Sequence, residues 1–293
     1  MSASVDTGLR TVGLVPHRER PEALDLAEHA AKWLEAKGLQ VVVPSADCAD
    51  RMALRALAAD PEQFAVDLDL AISLGGDGTM LRTVDLVAEA GIPVLGVNVG
   101  QLGYLTEVEP VDLDVALQRI VAGDYRVEER MALDVRVDSP GVAGGRWSAL
   151  NEAVIEKARH GHVVRLDVDI NGGFFTSYAA DGVIVATPTG STAYSFSARG
   201  PIVSPRHRCL LLTPVSPHML FDRSLVLDPD EELRFTVTDN RAAVLTLDGR
   251  EVGELAAGDV VVCTAGPTPT RIVTLAPRDF HQILKAKFGL ADR

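Results

Sequence analysis

The residues best suited to chemistry begin with Asp77, an acid among glycines in Gly75-Gly76-Asp77-Gly78-Thr79. The run Leu70-Ala71-Ile72-Ser73-Leu74 before it has the make-up of a buried strand. After it, Met80, Leu81, Val84, Leu86 and Val87 read as a helix with its stop at Gly91. Glycines at a strand-to-helix turn leave backbone amides open to a phosphate or a sugar. The segment lacks the third glycine of a dinucleotide fingerprint and the Gly-Lys-Ser/Thr ending of a P-loop. A carboxylate where a P-loop has its lysine points to handling of a hydroxyl or a metal ion. The structural alternative is that Asp77 forms an Asx-turn and Thr79 caps the helix, although Arg82, three residues on, completes no capping box.

Two further constellations lie downstream. Asn151-Glu152 interrupts a strand-like stretch from Ser148 to Ile155. Neighbours on a strand point to opposite faces, so this amide and acid serve one ligand only at a strand end or bulge; otherwise they form a solvated turn. The second follows Asp181-Gly182 and the apolar strand Val183-Ile184-Val185-Ala186. It reads Thr187-Pro188-Thr189-Gly190-Ser191-Thr192-Ala193-Tyr194-Ser195-Phe196-Ser197. Hydroxyls on Thr187, Thr189, Ser191, Thr192 and Tyr194 exceed what capping one helix needs, which favours a loop offering amides and hydroxyls to ribose or phosphate. Lys157, Arg159, His160, His162 and Arg165 form a basic cluster that would meet phosphates or make a solvated loop.

The elements that must position these residues change character along the chain. Strands at 11–15, 41–43, 70–74 and 92–97 alternate with helices from Pro21 to Gly38, after Asp77, and over 113–121. That alternation predicts an α/β domain with a parallel sheet over residues 1–125. Residues 45–69 stay open between a short helix and a loop. Beyond Tyr125, apolar and polar residues alternate over 164–170 and 233–238, with Asn171-Gly172-Gly173 as a hairpin turn. Residues 126–275 therefore read as a β-rich, sandwich-like domain, and 276–293 as a C-terminal helix, which the reading allows to return to the first domain.

With 293 residues there is enough chain for two cores, and 47% hydrophobic with 24% charged residues is ordinary globular composition. Acids outnumber bases 41 to 28, a net charge of −13, which argues against nucleic-acid binding and requires a local basic pocket for any anionic substrate. Cys48, Cys209 and Cys263 are too scattered for a disulfide framework or a zinc site. No stretch approaches a membrane span, so no membrane partner is expected and the cytoplasm is the expected compartment.

Gly-Gly-Asp-Gly-Thr, Asn-Glu and Thr-Pro-Thr-Gly-Ser-Thr-Ala-Tyr, in this order and spacing, resemble the NAD kinase family over nearly the whole chain, with His218 and Asp248-Gly249 at matching later places. The first motif is shared with diacylglycerol-type lipid kinases; the other two together are more selective. The resemblance implies transfer of a phosphoryl group from ATP or polyphosphate to the 2′-hydroxyl of the adenosine ribose of NAD. By position, Asp77 resembles the acid that takes the hydroxyl proton, with Gly78 beside the same substrate. Asn151 and Glu152 resemble the pair that holds NAD, and Asp181 an acid near the nicotinamide end. Thr189, Thr192, Ala193, Tyr194, Ser195, Phe196 and Ser197 fall in the matching ligand loop, Tyr194 able to stack on a base. Arg82 and His162 match positions of phosphate or ligand contacts. Tyr104 stands where many members have Phe, Gln101 and Ala179 where a basic residue is frequent, and Arg250 where others have Gln. The resemblance also implies Mg²⁺, or another divalent cation, on the donor phosphates with no protein side-chain metal site, and a homodimer or homotetramer. The two domains would then meet at a cleft. A lipid or small-alcohol kinase, and a non-catalytic dinucleotide sensor, are the alternatives.

Overall fold

The computed structural model describes residues 8–100, 103–139, 144–159, 161–277 and 279–290. The chain divides into two compact units, one from the described residues of 1–129 and 270–293, the other from 130–269. The first runs β1 (Thr11–Pro16), α1 (Pro21–Ala36), β2 (Gln40–Pro44), a 3-10 turn (Ser45–Asp47), α2 (Met52–Arg55), β3 (Ala58–Ala59) and α3 (Pro61–Phe64). It continues with β4 (Leu70–Gly75), α4 (Asp77–Val87), β5 (Val94–Asn98), α5 (Leu113–Val121) and β6 (Arg126–Arg130). The second contains β7 (Leu133–Asp138), β8 (Gly145–Ala149), β9 (Glu152–Lys157), β10 (Val164–Ile170), β11 (Gly173–Ala180), β12 (Gly182–Ala186), α6 (Tyr194–Ser197) and β13 (Leu210–Val215). Then come β14 (Leu225–Leu227), β15 (Leu233–Val237), β16 (Ala243–Leu247), β17 (Arg250–Leu255) and β18 (Val260–Ala265). Strand β19 (Thr270–Thr274) and helix α7 (Phe280–Phe288) return to the first unit.

In the first unit β1, β2, β4 and β5 pair in parallel, within a seven-stranded order β3-β2-β1-β4-β5-β19-β6. Strands β1 and β4 are buried throughout, as a sheet covered on both faces requires. Helix α1 carries Pro21 at its first turn and buries Leu24, Ala27, Ala31 and Leu34 against Val12, Leu14 and Ile72. Sequence reading placed residues 126–275 in the second domain; instead β6 and β19 are strands of this first sheet. Alternation reveals a strand but not its partner, and β19 pairs in parallel with β5, Ile272 opposite Val94, far away in sequence.

The second unit is two six-stranded sheets that share one apolar core: Val135, Leu166, Phe235 and Val261 from one, Ile155, Val183, Leu212 and Leu245 from the other. The pairings recorded within them are antiparallel. Period-two geometry sends Val183 and Val185 into that core, and Ile184 and Ala186 to the opposite face. There Val154 and Leu211 join them, with Ala198 and Val203 packed on top, so segment 187–209 is seated on the sheet. Among the described residues no helix is long and apolar enough to cross a membrane.

Candidate active site

Strand β4 delivers Gly75, Gly76 is the N-cap, and α4 starts at Asp77. No side chain caps this helix, so Thr79 is not the cap the structural alternative required. A Cβ on Gly75 would meet Thr79 Oγ1 at 2.2 Å, whereas the space beside Gly76 and Gly78 is open. One glycine is thus there for packing, and the other two leave room for a ligand.

The Asp77 carboxylate makes no local turn. Oδ2 accepts the backbone N–H of Tyr104 at 2.8 Å, and Oδ1 that of Leu105 at 3.0 Å. Two backbone donors fix the carboxylate's rotation while each oxygen keeps acceptor capacity for a substrate hydroxyl. Gly103 makes this approach feasible, since a Cβ there would lie 2.2 Å from Asp77 Oδ1. The Tyr104 ring has Lys287 Nζ of α7 at 5.0 Å from its centroid, and its hydroxyl is pushed upward by burial and then by the charge of Asp77.

A cavity of about 570 Å³ opens over Asp77, walled by the 17–20 loop between β1 and α1 on one side and by residues 76–79 with Arg82 on the other. Arg82 Nη1 reaches both carboxylate oxygens of Asp47 at 2.5 Å, and Nη2 donates to Pro16 O at 2.8 Å. Arg18 Nε donates to the same Asp47 at 2.7 Å, and Arg20 Nη1 donates to Val99 O. Arg18, Arg20 and Arg82 thus line the cavity together with Glu19 and Asp77, bringing local cations to a chain of net charge −13. Sequence reading found only Arg82 of this group. A signal for the others existed: a basic loop just past the carboxyl end of β1, the edge at which open α/β sheets bind ligands.

In the second unit the organising acid is Asp248. It lies with Gly249 in a tight hairpin between β16 and β17, both residues at positive φ (50° and 78°). Its carboxylate accepts three successive backbone N–H groups, from Leu150 at 2.7 Å, Asn151 at 2.8 Å and Glu152 at 3.0 Å. Glu152 opens β9, and because Ala153 and Ile155 face the sandwich core, its side chain shares the outer face with Val154. It is 6% exposed, and Oε2 has no hydrogen-bond partner among the described residues. Burial, then the charge of Asp248, pushes the Glu152 carboxyl up to about 8, against the backbone N–H of Tyr194.

The hydroxyl-rich loop is used differently from the count that singled it out. Thr187 Oγ1 donates to Leu150 O at 2.6 Å, and Ser191 Oγ to Pro188 O at 2.7 Å. Thr192 Oγ1 turns back to Thr189 O at 3.3 Å, and buried Ser195 bonds Thr213 Oγ1 at 3.1 Å. These groups build the loop. Thr189 Oγ1, buried and unpartnered among the described residues, and Tyr194, 39% exposed, remain for a ligand. Gly190 lets the loop lie on Asn151, where a Cβ would fall 2.1 Å from the Asn151 carbonyl oxygen.

Other predicted residues lie around this face or apart from it. Asp181 pairs with Lys157 at 2.5 Å, which removes Lys157 from the basic cluster. Phe196, Ser197, Arg159, His162 and Arg250 are exposed, and Ala193 is half-buried at the start of α6. Ala179 is half-buried on β11, its carbonyl accepting the His218 N–H at 2.7 Å. Gln101 and His160 lie outside the described residues.

Comparison with known proteins decides what these two constellations belong to. The pattern of the ATP-NAD kinase N-terminal domain matches residues 12–125, and that of the ATP-NAD kinase C-terminal domain matches 150–275. The chain belongs to the NAD kinase family. It is 43% identical over 282 residues to the NAD kinase of Heliobacterium modesticaldum, covering 94% of this chain and 98% of that one. With NAD kinase 2 of Streptomyces avermitilis it shares 41% over 289 residues, covering 97% and 96%. Among solved structures it superposes on yeast NADH kinase complexed with NADH at a TM-score of 0.88 and 25% identity, covering 97% of this chain and 89% of that one. An NAD kinase from Archaeoglobus fulgidus has the same fold, at a TM-score of 0.71 and 23% identity, covering 96% and 97%. Both acids that organise backbone amides here fall within the matched stretches, Asp77 in the first and Asp248 in the second.

Proposed function

We propose that this chain is an NAD kinase that transfers the terminal phosphoryl group of ATP to the 2′-hydroxyl of the adenosine ribose of NAD, with Asp77 as the base. The observation that carries the assignment of Asp77 is its carboxylate, pinned by two backbone N–H groups beside an open cavity lined with arginines. A sugar hydroxyl is far less acidic than a carboxyl of ordinary pKa about 3.9. The proton therefore moves late, as the oxygen bonds to phosphorus, and the role of Asp77 is to orient the hydroxyl and receive that proton. In the second unit, Glu152, Thr189 and Tyr194 are the groups with capacity left for NAD, over a framework set by Asp248, Thr187 and Gly190.

Among the described residues no group of three or more His, Cys, Asp or Glu is arranged to hold a metal. A divalent cation carried on donor phosphate oxygens fits such a site, since Mg²⁺ commonly binds through substrate phosphates and waters. When bound it would neutralise charge on the transferring group. Use of polyphosphate, a homodimer or homotetramer, and a cytoplasmic setting are carried forward on the family resemblance. The lipid- or small-alcohol-kinase reading has no support from relatives such as the NAD kinases of Heliobacterium modesticaldum, Moorella thermoacetica and Symbiobacterium thermophilum, and a non-catalytic sensor has no use for the pinned Asp77.

Purified protein given NAD, ATP and Mg²⁺ is expected to form NADP, read with an NADP-specific dehydrogenase; no product, with phosphorylation of a lipid head group instead, would reverse the assignment. Gly103→Ala is expected to cut kcat by about 10- to 100-fold through displacement of the Asp77 carboxylate, with the KM for NAD little changed. Initial rates beside a thermal melt separate this from simple unfolding. Tyr194→Ala is expected to raise the KM for NAD by roughly 10-fold, the loss of one stacked ring. Normal kinetics with lowered stability would make Tyr194 a packing residue.

A further inference from the structure

Asp47 is fully buried, and the chemistry above gives its carboxylate no role. It ends the 3-10 turn after β2 and receives two guanidinium groups, from Arg82 of α4 and from Arg18 of the 17–20 loop. The two arginines are not equivalent. Arg82 uses Nη1 on Asp47 and Nη2 on Pro16 O, so the fork that would grip a phosphate is occupied. Arg18 uses only Nε, and no bond of its two Nη groups is recorded among the described residues. Its side chain is 54% exposed and lines the cavity over Asp77. Charge bookkeeping agrees: Arg82 neutralises Asp47, and the trio keeps one positive charge, carried by Arg18.

We propose that Arg18 binds the phosphates of the donor nucleotide and that buried Asp47 is its positioning residue, while Arg82 serves as the counter-charge that lets Asp47 sit in the core. The ligand class is a phosphoanhydride chain. A planar guanidinium with two outward N–H₂ groups matches phosphate oxygens bidentately, and anchoring Nε beforehand removes most of the rotamer freedom a long side chain loses on binding. On this proposal Arg82, expected from the sequence as a phosphate or ligand contact, holds the site together through its fork. This inference rests on the NAD kinase reading, and its test keeps the two apart.

The experiment is steady-state kinetics with ATP varied at saturating NAD and the reverse, for wild type, Arg18→Met, Arg18→Lys and Asp47→Asn. Wild-type turnover tests the functional reading by itself. Arg18→Met keeps the Asp47–Arg82 pair and the length of the side chain, so it should fold. Its KM for ATP should rise by about 10- to 100-fold, with the KM for NAD within roughly twofold of wild type. Inorganic tripolyphosphate should inhibit the wild type competitively against ATP, and Arg18→Met much more weakly. Arg18→Lys should recover only part of the loss, because an ammonium cannot both reach Asp47 and offer a fork. Asp47→Asn should raise the KM for ATP in the same direction, if it folds. The proposal is overturned by an active Arg18→Met enzyme with wild-type KM for ATP and wild-type sensitivity to tripolyphosphate. It is equally overturned by a matching rise in both KM values.

Discussion

Asp77→Asn is expected to lower kcat by about 10²–10⁴, the usual cost of removing a general base, while the KM for NAD stays near wild type. The amide can still bond a ribose hydroxyl, but it cannot receive the proton. The structure adds a second effect that shape alone would hide. Both carboxylate oxygens accept backbone N–H groups, and an asparagine has one oxygen; its –NH₂ would have to face either the Tyr104 or the Leu105 amide. Donor against donor leaves one part-buried group unsatisfied, at a cost toward the low end of about 1–3 kcal/mol, so a lowered melting temperature should accompany the lost turnover. Initial rates and thermal melts on the same preparation check both. A lowered melting temperature with intact specific activity would leave Asp77 as an anchor for the 103–105 loop and the base unidentified.

Glu152→Gln should change how stability and NAD affinity respond to pH. The carboxyl titrates at about 8 in the folded protein, above its ordinary 4.5. Between those values the folded chain retains a proton that the unfolded chain releases, so wild-type stability falls as pH rises from about 4.5 and levels off above about 8. At 1.36 kcal/mol per pH unit the change across that window is on the order of 3–5 kcal/mol at most. Glutamine does not titrate, so the variant should match wild type near pH 4.5 and become the more stable protein toward pH 8. NAD binding should show the other side of the same proton. Ribose hydroxyls donate to an ionised carboxylate, so binding near pH 7 should expel a proton from Glu152, and wild-type affinity should rise between pH 6 and pH 8. Calorimetry in two buffers of different ionisation enthalpy reads that proton directly. The variant should bind NAD more weakly and without proton release; unchanged NAD affinity and no proton release from wild type would mean that Asn151-Glu152 is structural only.

Local sequence patterns foretold what local physics determines. Pro21 and the apolar spacing of Leu24, Ala27, Ala31 and Leu34 mark α1, whose burial follows that spacing. Asn171-Gly172, both at positive φ, turn the β10–β11 hairpin as an Asn-Gly pair should. Likewise the unbroken run Val183-Ile184-Val185-Ala186 is buried on both faces of its sheet. What stayed illegible depended on distant partners. Residues 45–69 fold into pieces too short to carry a period, and with them the role of Asp47 stayed hidden. The anchor of Asp77 comes from amides 27 and 28 positions away, which no turn signature encodes. Counting hydroxyls in the 187–197 loop could not tell groups that tie the loop to itself from Thr189 and Tyr194.

The return of the chain at β19 bears on how the molecule is made. In the first sheet β19 lies between β5 and β6, yet all of residues 130–269 leave the ribosome before Thr270–Thr274 does. During synthesis the sandwich has all its strands while the sheet carrying Asp77 still lacks an interior one. Until that strand arrives, β5 and β6 present unpaired edges, the kind that recruit wrong partners. Synthesis stopped before Thr270 would therefore yield a chain with every strand of the sandwich and an Asp77-bearing sheet that cannot close, so completion of that sheet waits until the whole of the other unit has been made.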